Sequence, residues 1–242
     1  NDEEFLMETL GSVFDQSVLP DEIILIDDGS DKSYASKYIN FFYHGKVAIT
    51  QKRILNSGPS FARNIGASLA KSDFVLFLDS DDLLDRNAVS SLHDHISNFD
   101  FKNNWGVHGG ISFLGSFKNY LPDPALNLDK PTLNKIGKNK TLEGLSSFLF
   151  SRISFLKVEG FRDTLSHNED FDIILRLSCN QSVKPMLKRM VLIRKRMGSL
   201  SNRSARNSYD GVKIFLDIAS AENLLDNAEI VIRKKENTLT YG

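Results

Sequence analysis

The sequence predicts an α/β fold with a mostly parallel central sheet flanked by helices. Two short apolar runs, residues 22–27 and 74–78, each end in acids, and helical patterns separate the strand patterns between residues 3 and 98. An apolar run without alternation suits a strand covered on both faces, and strands alternating with helices imply parallel pairing. The 242 residues are 41% hydrophobic and 25% charged, an average globular balance that excludes a disordered chain, a fibre or a disulfide scaffold. Against 31 Asp and Glu stand 30 Lys and Arg, a net charge of −1, so electrostatics favours no nucleic acid partner. The single Cys179 closes no intrachain disulfide, no signal-peptide pattern is read at the start, and no apolar run reaches the ~18–20 residues of a spanning helix. The expectation is a soluble, cytoplasmic protein.

The elements follow in order. Phe5, Leu6, Leu10, Val13 and Phe14 recur at helical spacing, and Pro20 ends that helix. Residues 22–27 form the first strand, 31–43 a helix and 46–51 a second strand. Gly58-Pro59 opens a helix to about Ser68, with Pro in the first turn. Residues 74–78 form a third strand, and 85–98 a helix with Asp85 as its N-cap. The second half is less regular. Residues 105–117, aromatic and Gly-rich, read as strands of a smaller mixed region. Residues 118–141 hold three of the six prolines and read as a loop or flap. Apolar periodicity returns over 141–155, a helix is expected over 170–177 and a strand over 190–194. A basic polar loop spans 195–207, and 209–227 is an amphipathic helix.

Ligands of such sheets bind beyond the carboxyl ends of the strands, which is where both acid clusters lie. In Asp79-Ser80-Asp81-Asp82, acids two apart offer hard oxygens for a divalent ion on a diphosphate, or they form a solvated loop capping the next helix. Asp27-Asp28-Gly29-Ser30 supplies a carboxylate for a ribose or base, or a turn and cap. Arg63, one turn into the helix after Gly58-Pro59, faces an anion or a surface partner. Glu169-Asp170 sits at a helix N-terminus, where carboxylates are stabilised whether catalytic or merely capping. Arg194-Lys195-Arg196, with Ser199, Ser201 and Arg203, either closes over a diphosphate or is a solvated charged loop.

In combination these pieces resemble the family 2 glycosyltransferases of the GT-A fold. The resemblance runs through Leu6-x-x-Thr9-Leu10-x-Ser12-Val13-x-x-Gln16, Pro20-x-Glu22 to Ser30, Gly58-Pro59-Ser60-x-Ala62-Arg63-Asn64-x-Gly66, Phe77-Leu78-Asp79-Ser80-Asp81-Asp82 and Glu169-Asp170-x-Asp172. It implies a single GT-A domain over 1–242: a nucleotide-donor half (1–100), an acceptor and catalytic half (101–205) and a C-terminal helical extension (206–242). It also implies that Asp28 binds the base, usually uracil, and that Asp79 contacts the ribose or donor sugar. Asp81 would hold Mn²⁺ or Mg²⁺, Arg63 and Arg196 would support the donor, and Asp170 would be the general base with Glu169 beside it.

Two departures stand out. The family opens with an apolar strand and a Pro-x-Tyr-Asn motif that Asn1-Asp2-Glu3-Glu4-Phe5 only meets at its end, so a further strand is expected upstream of residue 1. Met197 stands where relatives often carry a metal-binding His, and a thioether is a poor ligand for these ions.

The activity so implied is inverting transfer of a sugar from a nucleotide-diphosphate donor, a UDP-sugar, to a hydroxyl of a saccharide or lipid-linked saccharide in bacterial surface polysaccharide or lipopolysaccharide synthesis. Peripheral contact with the inner face of the membrane goes with such an acceptor. A non-catalytic nucleotide-sugar binding module and a sugar-phosphate nucleotidyltransferase are the competing readings. The Glu169-Asp170-x-Asp172 element favours transfer over the latter.

Overall fold

The computed structural model describes residues 3–31, 40, 45, 47–116, 118–122, 144–195, 205–227, 230–231, 233–235 and 237. The helix expected over 31–43, the flap over 118–141 and the basic loop over 195–207 fall largely outside them, and Arg196 and Met197 do so entirely.

Helix α1 (Glu3–Phe14) precedes strand β1 (Glu22–Asp28), which pairs in parallel with β2 (Ala48–Ile54), Glu22 opposite Ala48 and Asp28 opposite Ile54. Helix α2 (Pro59–Leu69) starts after Gly58 with Pro59 in its first turn, as expected. The remaining strands are β3 (Phe74–Leu76), β4 (Leu83–Leu84), β5 (Asn104–Phe113), β6 (Asn119–Tyr120), β7 (Phe148–Ser151) and β8 (Ser182–Ile193). They form one six-stranded sheet in the order β3-β7-β5-β8-β4, with β6 paired to β5. Parallel pairing recurs at β5·β8, and the other four pairings are antiparallel. The α/β class holds, and the mixed character is concentrated in this second sheet.

Three elements depart from their sequence pattern. Helix α3 (Ala88–Ile96) begins three residues after Asp85, which is not its N-cap: that carboxylate takes Arg189 Nε at 2.8 Å and Nη2 at 2.6 Å. Both arginine nitrogens reach Oδ2, a charge-assisted pairing, and Oδ1 accepts the Asn87 N–H at 3.2 Å, ahead of the helix. β8 runs eight residues further upstream than its apolar end at 190–193, because the ladder to β5 carries Lys184, Pro185 and Arg189 through register shifts. β1 is half-buried along its whole length rather than covered on both faces. Ile23 packs beside Val13, Leu84 and Ala88, and Ile26 lies against α2 at Gly66.

The main core lies around β5 and β7. Trp105 stacks on Phe148 and Phe150 with ring centroids 5.9 and 5.5 Å apart, and its buried indole N–H donates to Ser178 Oγ at 3.1 Å. A Cβ at Gly106 would strike the Leu149 carbonyl, so β5 is glycine-bearing where β7 presses closest. The remaining helices are α4 (Arg152–Lys157), α5 (Glu169–Ser178) and α6 (Ala205–Ala221). Phe215, Leu216 and Ala219 of α6 are buried in the same core as Ile173, Ile174 and Leu177 of α5. Helix α6 is therefore part of the core.

Candidate active site

Arg63 is the joint of the site. One turn into α2, its Nη2 donates to Asp79 Oδ1 at 2.7 Å and its Nη1 lies 3.5 Å from Glu169 Oε1. The guanidinium also sits over the Phe161 ring, 5.7 Å from its centroid. Burial works against its charge, but Asp79, then Glu169 and Asp170, more than offset that and raise its pKa. The strand-end acids after β3 and the acids opening α5, 90 residues apart in sequence, thus meet on one cation.

The base candidate is tuned upward. Asp170 is half-buried, and its Oδ1 accepts the Phe171 N–H at 2.7 Å. Burial first and the neighbouring Glu169 second push its carboxyl up to about 6, against the pull of the Phe171 N–H and Arg63. The third acid of that motif does something else. Asp172 is fully buried and takes Arg176 Nε at 2.8 Å, Arg176 Nη2 at 2.6 Å and Arg162 Nη1 at 3.2 Å. Arg176 also donates to the carbonyls of Val158 and Gly160. Asp172 therefore ties α5 to the 158–162 turn, and Asn64 ties α2 to the same turn: its amide donates to Phe161 O at 2.8 Å and accepts Phe161 N–H at 2.9 Å.

The turn after β3 is closed by Asp82 N–H on Asp79 O at 3.1 Å. Asp79 keeps 46% of its side-chain surface, and Asp81 is half-buried. Asp82 points inward and takes Ser146 Oγ and the Arg194 N–H, each at 3.1 Å. Burial, with Asp79 and Asp81 adding to it, pushes Asp82 up to about 7. It holds the turn and caps no helix.

Asp28, at the end of β1, accepts the N–H of Ser57 at 2.7 Å on Oδ1 and that of Gly58 at 2.9 Å on Oδ2. Gly29 follows with φ of +72°, and a Cβ there would lie 2.7 Å from Asn56 N, so no other residue fits between the two loops. The structure thus brings Asp28 to the start of α2, and Arg63, Asp79, Glu169 and Asp170 into one cluster, with Asp81 in the adjoining turn. Among the described residues, no group of three or more His, Cys, Asp or Glu side chains converges as a ligand set for a metal. The acids present, Asp81 with Asp79 beside it, suit a divalent ion that arrives with phosphate oxygens and water completing its shell, not one caged by protein.

A cavity of about 340 Å³ lies elsewhere, lined by Asn64, Gly160, Phe161, Arg162 and Arg176. None of the sequence-predicted site residues lines it, and its arginines are committed to Asp172 and Glu222.

Sequence reasoning missed the supporting residues. Thr9, Ser12, Gln16, Asn64 and Asp172 were visible only as letters of a motif. One signal was present, the i,i+4 spacing of Asp172 and Arg176.

Comparison with known proteins fits this geometry. The model of the family described as "Glycosyl transferase family 2" matches residues 1–164. GgaA, a minor teichoic acid biosynthesis protein of Bacillus subtilis (strain 168), is 42% identical over 101 residues, 39% of this chain and 22% of that protein. The UDP-Gal:alpha-D-GlcNAc-diphosphoundecaprenol beta-1,3-galactosyltransferase of Escherichia coli is 26% identical over 181 residues, 73% of this chain and 63% of that protein. The chain thus spans less than two thirds of the length of either relative. The crystal structure of Staphylococcus aureus TarS 1–349 in complex with UDP-GlcNAc superposes with a TM-score of 0.67 at 19% identity, over 98% of this chain and 68% of that one. The likeness shows a shared fold, the GT-A α/β fold that the sequence predicts. No helix among the described residues is long and apolar enough to cross a membrane.

Proposed function

This chain belongs to glycosyl transferase family 2, and from that premise we propose that it transfers a sugar, with inversion, from a UDP-sugar to a hydroxyl of a saccharide or lipid-linked saccharide in bacterial surface polysaccharide synthesis. The observation that carries the reading is the Arg63 joint, which sets the Asp79 carboxylate and the Glu169-Asp170 pair at one place. The relatives support the substrate class: GgaA acts in teichoic acid synthesis, the Escherichia coli enzyme uses UDP-Gal on a diphosphoundecaprenol-linked sugar, and TarS binds UDP-GlcNAc. A lipid-linked acceptor puts the work at the inner face of the cell membrane.

The chemistry asked of the residues is simple. The acceptor O–H bond breaks, its oxygen bonds the anomeric carbon, and the bond from that carbon to the diphosphate oxygen breaks as UDP leaves. Asp170 takes the acceptor proton on a carboxylate oxygen. A pKa of about 6 makes it a stronger base than an ordinary carboxylate while leaving it mainly ionised at pH 7. Glu169, held by Arg63, keeps the first turn of α5 facing the strand-end acids. Asp28 accepts the single N–H of the uracil, at N3, using lone pairs beyond those given to Ser57 and Gly58. A divalent ion, Mn²⁺ or Mg²⁺, when bound at Asp81 with Asp79 beside it, would offset charge on the leaving diphosphate.

The test is turnover of UDP-GlcNAc and UDP-Gal with Mn²⁺ and a GlcNAc-diphosphate-lipid acceptor, with the product anomer read by NMR. The reading expects product of inverted configuration, and a loss of ~10²–10⁴-fold in kcat for Asp170→Asn with UDP binding retained. Retained configuration, or an Asp170→Asn variant as fast as the wild type, would overturn the mechanism.

A further inference from the structure

Residue 81 has the peptide group on each side of it held by a side chain from outside the turn. Thr9 Oγ1, on α1, donates to Ser80 O at 2.9 Å. Arg194 Nε, at the end of β8, donates to Asp81 O at 3.1 Å, and the Arg194 N–H donates to Asp82 Oδ1 at 3.1 Å. The Ser80 carbonyl belongs to the peptide entering Asp81 and the Asp81 carbonyl to the peptide leaving it. Their orientations set φ and ψ of Asp81, and with them the direction of its Cα–Cβ bond.

Both grips trace back to α1. Arg194 Nη2 pairs with Glu8 Oε2 at 2.6 Å, and its guanidinium lies 4.6 Å from the centroid of the Phe5 ring. The same helix and the residues just past its end continue the contact downstream: Ser12 Oγ accepts Leu84 N–H at 3.0 Å, Gln16 Nε2 donates to Asp85 O at 2.7 Å, and Gln16 Oε1 accepts Val89 N–H at 3.1 Å. Thr9 and Gln16 are 4% and 6% exposed. Polar groups are buried to that extent where their hydrogen bonds are made, and here those bonds go to the segment carrying Asp81.

We propose that Thr9 and Arg194 are positioning residues for the donor site: together they fix the backbone of Asp81 from both sides and so aim its carboxylate. Arg194 acts through the Asp81 peptide, not on the diphosphate. The inference rests on the reading of Asp81 as the residue that holds the donor's divalent ion.

The experiment is calorimetric titration of UDP, with and without Mn²⁺, into the wild type, Thr9→Val, Thr9→Ser, Arg194→Lys and Asp81→Ala, alongside donor and acceptor KM. Thr9→Val keeps the shape and removes the hydroxyl. It is expected to weaken Mn²⁺-dependent UDP binding about fivefold, the usual worth of one hydrogen bond, and to raise the donor KM by the same factor. UDP binding without metal and the acceptor KM stay unchanged, a split that general destabilisation does not produce. Thr9→Ser is expected within twofold of the wild type, and Arg194→Lys, which loses the Nε grip, to weaken binding as Thr9→Val does. A Thr9→Val or Arg194→Lys protein that binds Mn²⁺–UDP as the wild type does would overturn the positioning role while leaving the donor reading intact. A wild type without metal-dependent UDP binding, or one that Asp81→Ala leaves unchanged, would overturn the reading and the inference with it.

Discussion

The two acidic clusters that meet at Arg63 rest on different supports. The turn after β3 is held from its surroundings by hydrogen bonds: Thr9 on one carbonyl, Arg194 on the next, Ser146 on Asp82. Its first acid keeps 46% of its side-chain surface. The acids opening α5 are held from beneath by the core. Ile173, Ile174 and Leu177 are buried with Phe215 of α6, the Phe171 and Phe215 rings lie 5.7 Å apart, and Asp172 is buried among two arginines. The difference suits the roles proposed for the two clusters. A carboxylate that meets an ion and a phosphate must reach solvent with a defined aim. A base must lie where burial raises its pKa, and Asp170 gains that from its burial at the start of α5.

The contrast can be broken at several points. Asp170→Asn removes the proposed base alone, so the ~10²–10⁴-fold loss of kcat should come with an unchanged Kd for Mn²⁺–UDP. Asp172→Asn strikes the support instead. It leaves two arginines without a buried counter-charge, at a cost of about 3–5 kcal/mol in urea unfolding, while the turn after β3 is untouched. Arg63→Met cuts the joint and leaves Asp79, Glu169 and Asp170 without their shared cation. With a charge-assisted hydrogen bond lost, kcat/KM should fall ~10–100-fold, and because Arg63 lowers the Asp170 pKa, the acid limb of activity should move to higher pH.

Gly211→Ala sharpens the comparison from the other side. A Cβ at position 211 would lie 2.5 Å from His167 Nδ1 and 3.0 Å from His167 Cβ, three residues before the base. Overpacking there should displace the start of α5, lower kcat severalfold and spare donor binding; adding His167→Ala should restore kcat. Restoration would show that α6 acts on the base through this contact, and its failure would separate α6 from the site.

The framework was legible where a single periodicity decides the element. Helices α1, α2 and α5 and strands β1 and β2 follow from apolar spacing and from Pro59 and Gly29. β5 was legible as a strand in the aromatic, Gly-rich run 105–117, but not its neighbours: Gly106 and Gly109 let β7 and β8 approach, and a glycine names no partner strand. β8 hid its length behind Lys184, Pro185 and Arg189, whose placement is decided by the partner strand. In the site, the acids could be found because strand ends are where such sheets bind ligands. Their supports could not: Thr9, Ser12 and Gln16 lie on the polar side of an amphipathic pattern, which alone reads as solvent-facing, and only the fold shows that face buried on the 80–89 segment.

The pH dependence of kcat tests the central claim, that burial at the start of α5 raises a base on Asp170, most directly. With the carboxyl at about 6, kcat under saturating donor and acceptor should fall tenfold per pH unit below that value, and the residual activity of Asp170→Asn should show no such limb. A wild-type kcat flat down to pH 4.5, or an identical limb in Asp170→Asn, would contradict it.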